Sequence, residues 1–213
     1  IIDEASMIDA LLFDNLLKAL RLSCRIIIVG DSDQLPSIGA GNVLGDILSA
    51  DVFPAIKLKK VFRQAKTSKI ITNAHAIINN EKADFSDKKS DCFFMHRNDR
   101  YSAVSTILEL VTERLVSAYK INPLTDVQIL CPSKLLDTGT VNLNNLLQER
   151  LNPHKKGEPQ LFFKGFYLRV SDKVMQIKNN YDLQYIRDNG EYGTGVYNGD
   201  VGYITDIDTR AGI

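Results

Sequence analysis

The stretch that most constrains this chain is RIIIVG, residues 25–30. Four β-branched residues stand in a row and a glycine ends them. A continuous apolar run of this kind suits a parallel strand covered on both faces. The chain opens with Ile1-Ile2 running into Asp3-Glu4, which reads as the last turn of a second such strand. Between the two, Ile8, Leu11, Leu12, Leu16 and Leu20 recur three and four apart, one face of a helix. Ser6, with Asp9 three residues on, resembles a capping box in which Asp replaces the usual Glu. Strand, helix, strand is the βαβ unit of a parallel sheet, so the expected class is α/β.

Downstream, GDSDQLPSIGAGN is a loop by composition. Val43, Leu44, Ile47 and Leu48 predict a short helix with Asn42 as its N-cap. The run IKLKKVFRQ reads as a short strand entering a polar loop. Ile70, Ile71, Ala74, Ile77 and Ile78 form a second helical stripe, and NNEKADFSDKKSD is a polar surface loop. CFFMH and VQILC read as strands. Val104, Ile107, Leu108, Val111 and Leu115 mark a long helix between them. A further helix is expected with Thr140 as cap, Leu143, Leu146 and Leu147 on one side, and Pro153 as stop. After about residue 160 the pattern turns β-rich. There Asn198-Gly199, between GVY and DVGYI, predicts a hairpin with a primed turn.

Charge does not single out a partner. Lys plus Arg is 26 and Asp plus Glu is 26, so any nucleic-acid contact has to come from a local patch. Cys24, Cys92 and Cys131 are odd in number and far apart, and are expected as buried, reduced thiols. No apolar run approaches the roughly 18 residues of a membrane span, and no signal peptide is recognisable, so a cytoplasmic protein is expected. The first residue is Ile, which suggests a piece of a longer protein.

Two polar clusters carry candidate chemistry. Ligands of parallel α/β sheets sit at the carboxyl ends of strands, where Asp3 and Glu4 stand. An Asp in that place can bind Mg²⁺, and a neighbouring Glu can polarise an attacking water. Taken alone, the pair reads equally as a solvated acidic turn. Gly30, Asp31, Asp33 and Gln34 end the next strand. If the two strands are close, both clusters face one crevice, where the Gln34 amide can donate to a phosphate oxygen and accept from water. Alone, Gln34 is a loop amide.

In order and spacing these segments resemble a known family. IIDEASM is similar to the Walker B motif of superfamily 1 helicases, and VGDSDQLPSIGAGNVLGDIL to their motif III in its RecD-like form. KKVFRQAKTSKIITNAHAII, the ILCPSK and GTVNLNNLLQERLNP stretches, and DKVMQIKNNYD with VYNGDVG continue the likeness over nearly the whole chain. The family is the RecD-like ATP-dependent DNA helicases, which include the α subunit of exodeoxyribonuclease V and stand-alone relatives. The resemblance implies parts of two RecA-like P-loop NTPase domains, with motifs II and III in residues 1–58 and the motif IV region in 59–162. It implies a small antiparallel SH3-like β-barrel inserted over 163–213. It implies ATP and Mg²⁺ as cofactors, with single-stranded DNA, duplex ends and other nuclease–helicase subunits as partners. Its roles fall on Asp3 as Mg²⁺ ligand, Glu4 as catalytic base, and Asp31 and Gln34 as nucleotide-binding residues. Gln34 would also couple the γ-phosphate to DNA. Arg63 would be an arginine finger, a role that suits an always-charged guanidinium. Tyr181, Tyr197 and Asn198 become DNA-contact candidates, since an aromatic face can stack on a base. Barrel core and turn is the competing reading of those three.

No G-x-x-x-x-G-K-[ST] occurs in the 213 residues. The nest and lysine that hold the β- and γ-phosphates are therefore expected upstream, with the family's last motifs downstream. The expectation is a 5′→3′ helicase of recombination and repair, active in its parent protein and inactive as this segment alone. Other superfamily 1 helicases, and a non-catalytic DNA-binding or interaction module, are the rival readings.

Overall fold

The computed structural model describes residues 1–58 and 67–210. Two compact units, Ile1–Met95 and His96–Ile213, make up the chain.

In the first unit the expected parallel pairing exists as a single bridge, Ile2 to Ile28. The Ile2 N–H donates to the Ile27 carbonyl at 2.8 Å, and the Val29 N–H donates back to the Ile2 carbonyl at 2.8 Å. The Ala5 N–H donates to the Val29 carbonyl at 3.0 Å, closing the pair at its carboxyl end. The expectation of burial on both faces is not met. Ile27 is 57% exposed and Val29 47%, because no other described element of this unit lies over them. A 3₁₀ turn, Ala5–Met7, follows the first strand end. Helix α1, Ala10–Ala19, forms where the periodicity placed it, but Leu11 and Leu12 stay exposed. Its cap is Asp9, whose carboxylate accepts the Leu12 N–H at 2.7 Å. Ser6 lies instead in the preceding turn, so the expected capping box is absent.

Helix α2, Val43–Ala50, is capped by Asn42 as expected, the side chain accepting from Gly45 N. Its Leu44 and the turn residue Ala5 form the buried apolar contact of the site region. Helix α3, Lys69–Ile78, carries the second stripe. Ser68 caps it, and Asp91 accepts the Lys69 and Ile70 N–H groups at its start. Buried Asn73 exchanges two hydrogen bonds with the Asp84 backbone, pinning the polar loop onto the helix. Cys92–His96 carries no ladder, so the strand expected there does not form. A β-prone run becomes a strand only where another segment accepts its backbone hydrogen bonds.

The second unit starts with α4, Arg100–Glu109, which continues through a π turn, Leu110–Arg114, into α5, Leu115–Tyr119. Short helix α6, Pro123–Asp126, follows, and then α7, Thr140–Leu151. Leu108 and Val111 on one side and Leu143 on the other form its buried apolar centre. Thr140 is the first helical residue; Gly139 stands at the cap and supplies no side-chain bond. VQILC is not a strand, and Leu130 is 89% exposed. It is held from outside by the Lys173 ammonium, which donates to the Val127 carbonyl at 3.3 Å.

The β-rich end comprises β1, Gln160–Phe163; β2, Phe166–Arg169; β3, Lys173–Met175; β4, Asn180–Ile186; β5, Tyr192–Val196; and β6, Val201–Tyr203. They form three antiparallel pairs, β1–β2, β3–β6 and β4–β5. Among the described residues the pairs do not close into a barrel. The hairpin predicted at Asn198-Gly199 does not form. Tyr197–Asp200 is a tight turn, but β5 before it pairs with β4 and β6 after it pairs with β3. Only Gly199 has positive φ (97°), which suits a type II turn and not a primed one. The primed geometry lies at Lys164-Gly165, with φ of 47° and 95°, where β1 turns directly into β2.

Candidate functional site

The Ile2–Ile28 bridge sets the site, because it aligns the carboxyl ends of two parallel segments. Asp3 and Glu4 leave one end, Gly30 and Asp31 the other. Glu4 turns sharply there, with φ 52° and ψ 41°. That conformation is uncommon for a residue with a Cβ. The Asp3 carboxylate supports it by accepting the Glu4 N–H at 2.9 Å. Gly30 permits the close approach. A Cβ on it would lie 2.9 Å from a Leu44 methyl, 3.0 Å from Ala5 N and 3.2 Å from Ser6 N. Both acids are exposed.

Asp31 folds the following loop on itself. Its carboxylate accepts from Asp33 N at 3.0 Å and its carbonyl from Gln34 N at 3.3 Å. Gln34 is exposed beyond this turn. The four residues Asp3, Glu4, Asp31 and Gln34 thus border one strand-end region. No side-chain contact ties one cluster to the other. Buried beside them is Ser6, whose hydroxyl has no hydrogen-bond partner. Arg63 lies outside the described residues.

Hard carboxylate oxygens at a strand end suit Mg²⁺, which takes one or two carboxylates and completes its shell with phosphate and water. No cluster of three or more His, Cys, Asp or Glu forms a closed metal site among the described residues. Exposed carboxylates such as Asp3 and Glu4 are of the kind that a Mg²⁺ arriving with phosphate and water would accept. For the nucleotide the fit is partial, since no phosphate-cradling G-x-x-x-x-G-K-[ST] occurs in the sequence.

In the second unit Tyr181, Tyr197 and Asn198 come together. The two rings meet edge to face, 5.8 Å between centroids, and Tyr181 is 66% exposed. Asn179, which the sequence did not single out, joins Tyr181 to Asn198. Its amide donates to the Tyr181 hydroxyl at 3.0 Å and its carbonyl oxygen accepts from Asn198 N at 2.9 Å. Nothing in the local sequence signalled that role, because its partner Asn198 lies 19 residues on. Gly195, at φ 94°, leaves room for Tyr197, whose hydroxyl would lie 2.7 Å from a Cβ there. The aromatic residues are surface here and not barrel core.

The cysteines are all free, but none is buried as expected: Cys24 is exposed, and Cys92 and Cys131 are half-buried. Among the described residues no helix is long and apolar enough to cross a membrane.

Comparison with known proteins agrees with both regions. Residues 1–99 match an AAA domain, which gives that part the P-loop NTPase class. Residues 143–212 match the ATP-dependent RecD-like DNA helicase SH3 domain. The ATP-dependent RecD2 DNA helicase of Deinococcus radiodurans is 31% identical over 193 residues, 91% of this chain and 25% of that protein. The RecBCD enzyme subunit RecD of Buchnera aphidicola subsp. Schizaphis graminum is 24% identical over 99% of this chain and 41% of its own length. A RecBCD subunit RecD from Mycobacterium tuberculosis is 46% identical over 48 residues, 22% of this chain and 8% of that protein. The chain therefore spans less than half the length of each of these relatives. With both ends matched to such proteins in the same order, the chain belongs to the RecD-like DNA helicase family.

Proposed function

We propose that this chain is a segment of an ATP-dependent DNA helicase motor that acts in recombination and repair, with 5′→3′ polarity. In this reading residues 1–58 complete a first RecA-like domain, 59–162 belong to a second, and 163–213 form the SH3-like insertion. Asp3 holds Mg²⁺, which neutralises charge on the phosphates. Glu4 accepts a proton from the attacking water. Asp31 shapes the loop that presents Gln34 to the γ-phosphate. Arg63 supplies a cation to the transferring phosphoryl group; the resemblance and the chemistry of guanidinium support that role. Tyr181, Tyr197 and Asn198 receive unpaired DNA. Single-stranded DNA or duplex ends are the substrate, other nuclease–helicase subunits are candidate partners, and the protein is cytoplasmic.

The observation that carries this reading is the parallel bridge that brings Asp3-Glu4 and Asp31–Gln34 to neighbouring strand ends. Its test is Glu4→Gln in the full-length protein. ATP and Mg²⁺ binding should persist, while hydrolysis falls by about two to four orders of magnitude, the usual worth of a general base. Hydrolysis near the unsubstituted rate would remove Glu4 from that role. The rival reading is a non-catalytic DNA-binding or interaction module derived from such a motor. A G-x-x-x-x-G-K-[ST] elsewhere in the protein, with DNA-stimulated ATPase, would dismiss it.

A further inference from the structure

The loop that bears Gln34 is fastened at both ends to the segment that bears Glu4. At the near end, Ala5 N donates to the Val29 carbonyl at 3.0 Å. At the far end, Ala10 N donates to the Ala40 carbonyl at 2.9 Å. These two bonds and the two stretches of chain between them, 5–10 and 29–40, make a closed ring. Glu4 abuts one closure, and Gln34 sits in the long arm.

The far closure is tightly built. Gly39 lies against Asp9, the cap of α1: a Cβ on Gly39 would lie 2.6 Å from Asp9 Cγ and 2.7 Å from Asp9 Cβ. Contact with Asp9 Cβ cannot be relieved by rotating the carboxylate away, so the backbone would have to move. Gly41, at φ 104°, leaves 3.1 Å between its missing Cβ and the Ala10 methyl. Ser37 bridges the loop from within, its hydroxyl donating to the Gly39 carbonyl at 3.0 Å and the Gly41 carbonyl at 3.1 Å.

From this geometry we infer that Gly39 is a positioning residue: its lack of a side chain lets the far closure seat against Asp9, and that closure sets Gln34 relative to the Asp3–Glu4 turn. Gly39 need not touch nucleotide. A shift at the far closure is passed along a short arm of six residues to the turn, and along the loop to Gln34. The inference rests on the proposed roles of Glu4 and Gln34.

The test is a double-substitution cycle in the full-length protein, read by steady-state ATPase with saturating single-stranded DNA. Gly39→Ala forces the closure apart, and should lower kcat about ten- to a hundredfold with ATP KM within about twofold, since sub-ångström misplacement of reacting groups acts on turnover. Asp9→Gly removes the atoms that would clash, and glycine is an acceptable N-cap, so alone it should leave kcat within about threefold. Combined with Gly39→Ala it should restore kcat to the level of Asp9→Gly alone. Rescue at this one contact traces the defect to the Asp9–Gly39 closure, and an unchanged KM shows that the nucleotide site itself still binds. The inference fails if Gly39→Ala turns over normally, or if the double variant is no faster than Gly39→Ala. Glu4→Gln run alongside separates the two layers. Loss with Glu4→Gln but none with Gly39→Ala refutes the latch alone, whereas full activity of Glu4→Gln refutes the functional reading beneath it.

Discussion

Asp172→Ala should be the most damaging single substitution in the second unit. Asp172 and Arg169 are each only 9% exposed. The Asp172 carboxylate accepts from Arg169 N at 2.8 Å, Gln148 Nε2 at 2.5 Å and Asn152 Nδ2 at 2.8 Å. Arg169 in turn donates to the Asn152 carbonyl at 2.9 Å and to Glu149 at 2.5 Å. The network therefore fastens the end of α7 to β2 and the turn before β3. Truncation at Asp172 strands the Arg169 N–H. The two amides keep one partner each, the Tyr167 and Val170 carbonyls, and so are half satisfied. The Arg169 guanidinium keeps its own partners, the Asn152 carbonyl and Glu149, since only its backbone N–H reaches Asp172. A buried donor left without a partner costs about 1–3 kcal/mol, and a hydrogen bond to a charged acceptor is worth about 1.5–3 kcal/mol. The bonds to Asp172 are lost together and their losses overlap, so about 3–5 kcal/mol, less than their sum, is expected for the whole. For a domain of this size that is a fall in Tm of roughly 6–20 °C. Asp172→Asn keeps one acceptor and should cost about 1–3 kcal/mol. The assay is thermal and chemical denaturation of the protein carrying this chain, with hydrogen exchange to localise the loss. Exchange should quicken in β2, β3 and the last turn of α7, and stay unchanged in α3. A loss below about 1 kcal/mol for Asp172→Ala, or exchange quickened equally in α3, would refute the argument.

Three further outcomes are expected. The Lys69 ammonium, first, and then Ser86 hold the Asp84 carboxyl well below the usual carboxylate range, and the Ser68 hydroxyl, first, lowers the Asp91 carboxyl. A depressed folded pKa contributes stability above the unfolded value, about pH 4, that is lost as pH falls below it, so the protection of α3 amides against hydrogen exchange, relative to their intrinsic rates, should fall between about pH 4 and 2, and less so in Asp84→Asn. Gly199 holds φ 97° in the turn between β5 and β6, and Gly199→Ala should cost about 1–2 kcal/mol in the same denaturation assay; an unchanged midpoint would show that the turn adopts another conformation. Tyr181→Ala in the full-length protein should weaken single-stranded oligonucleotide binding by about 1–3 kcal/mol in fluorescence anisotropy, and undiminished affinity would place the DNA elsewhere.

What the sequence determined by itself was local. Helices α1, α2 and α3 and the long helix from residue 100 lie where period and composition put them, because a helix satisfies its backbone within its own segment. The Asn42 cap is of the same kind, one side chain reaching a backbone group three residues on. The pairing of RIIIVG with the Ile1-Ile2 stretch was also legible, because βαβ topology leaves few alternatives. Tertiary structure decided where a residue's partner lay elsewhere in the chain. Cys92–His96 and Val127–Cys131 have strand composition and no ladder, since a strand exists only when another segment accepts its hydrogen bonds. Asn198-Gly199 does make a turn, but the strands on either side pair with β4 and β3, which the turn residues cannot specify. The cap of α1 moved from Ser6 to Asp9 because Ser6 is taken into the 3₁₀ turn that carries the chain past Gly30. Burial followed the same division: a stripe of leucines makes a helix, but whether Leu11 and Leu12 are covered depends on what lies opposite them, and periodicity carries no information about that.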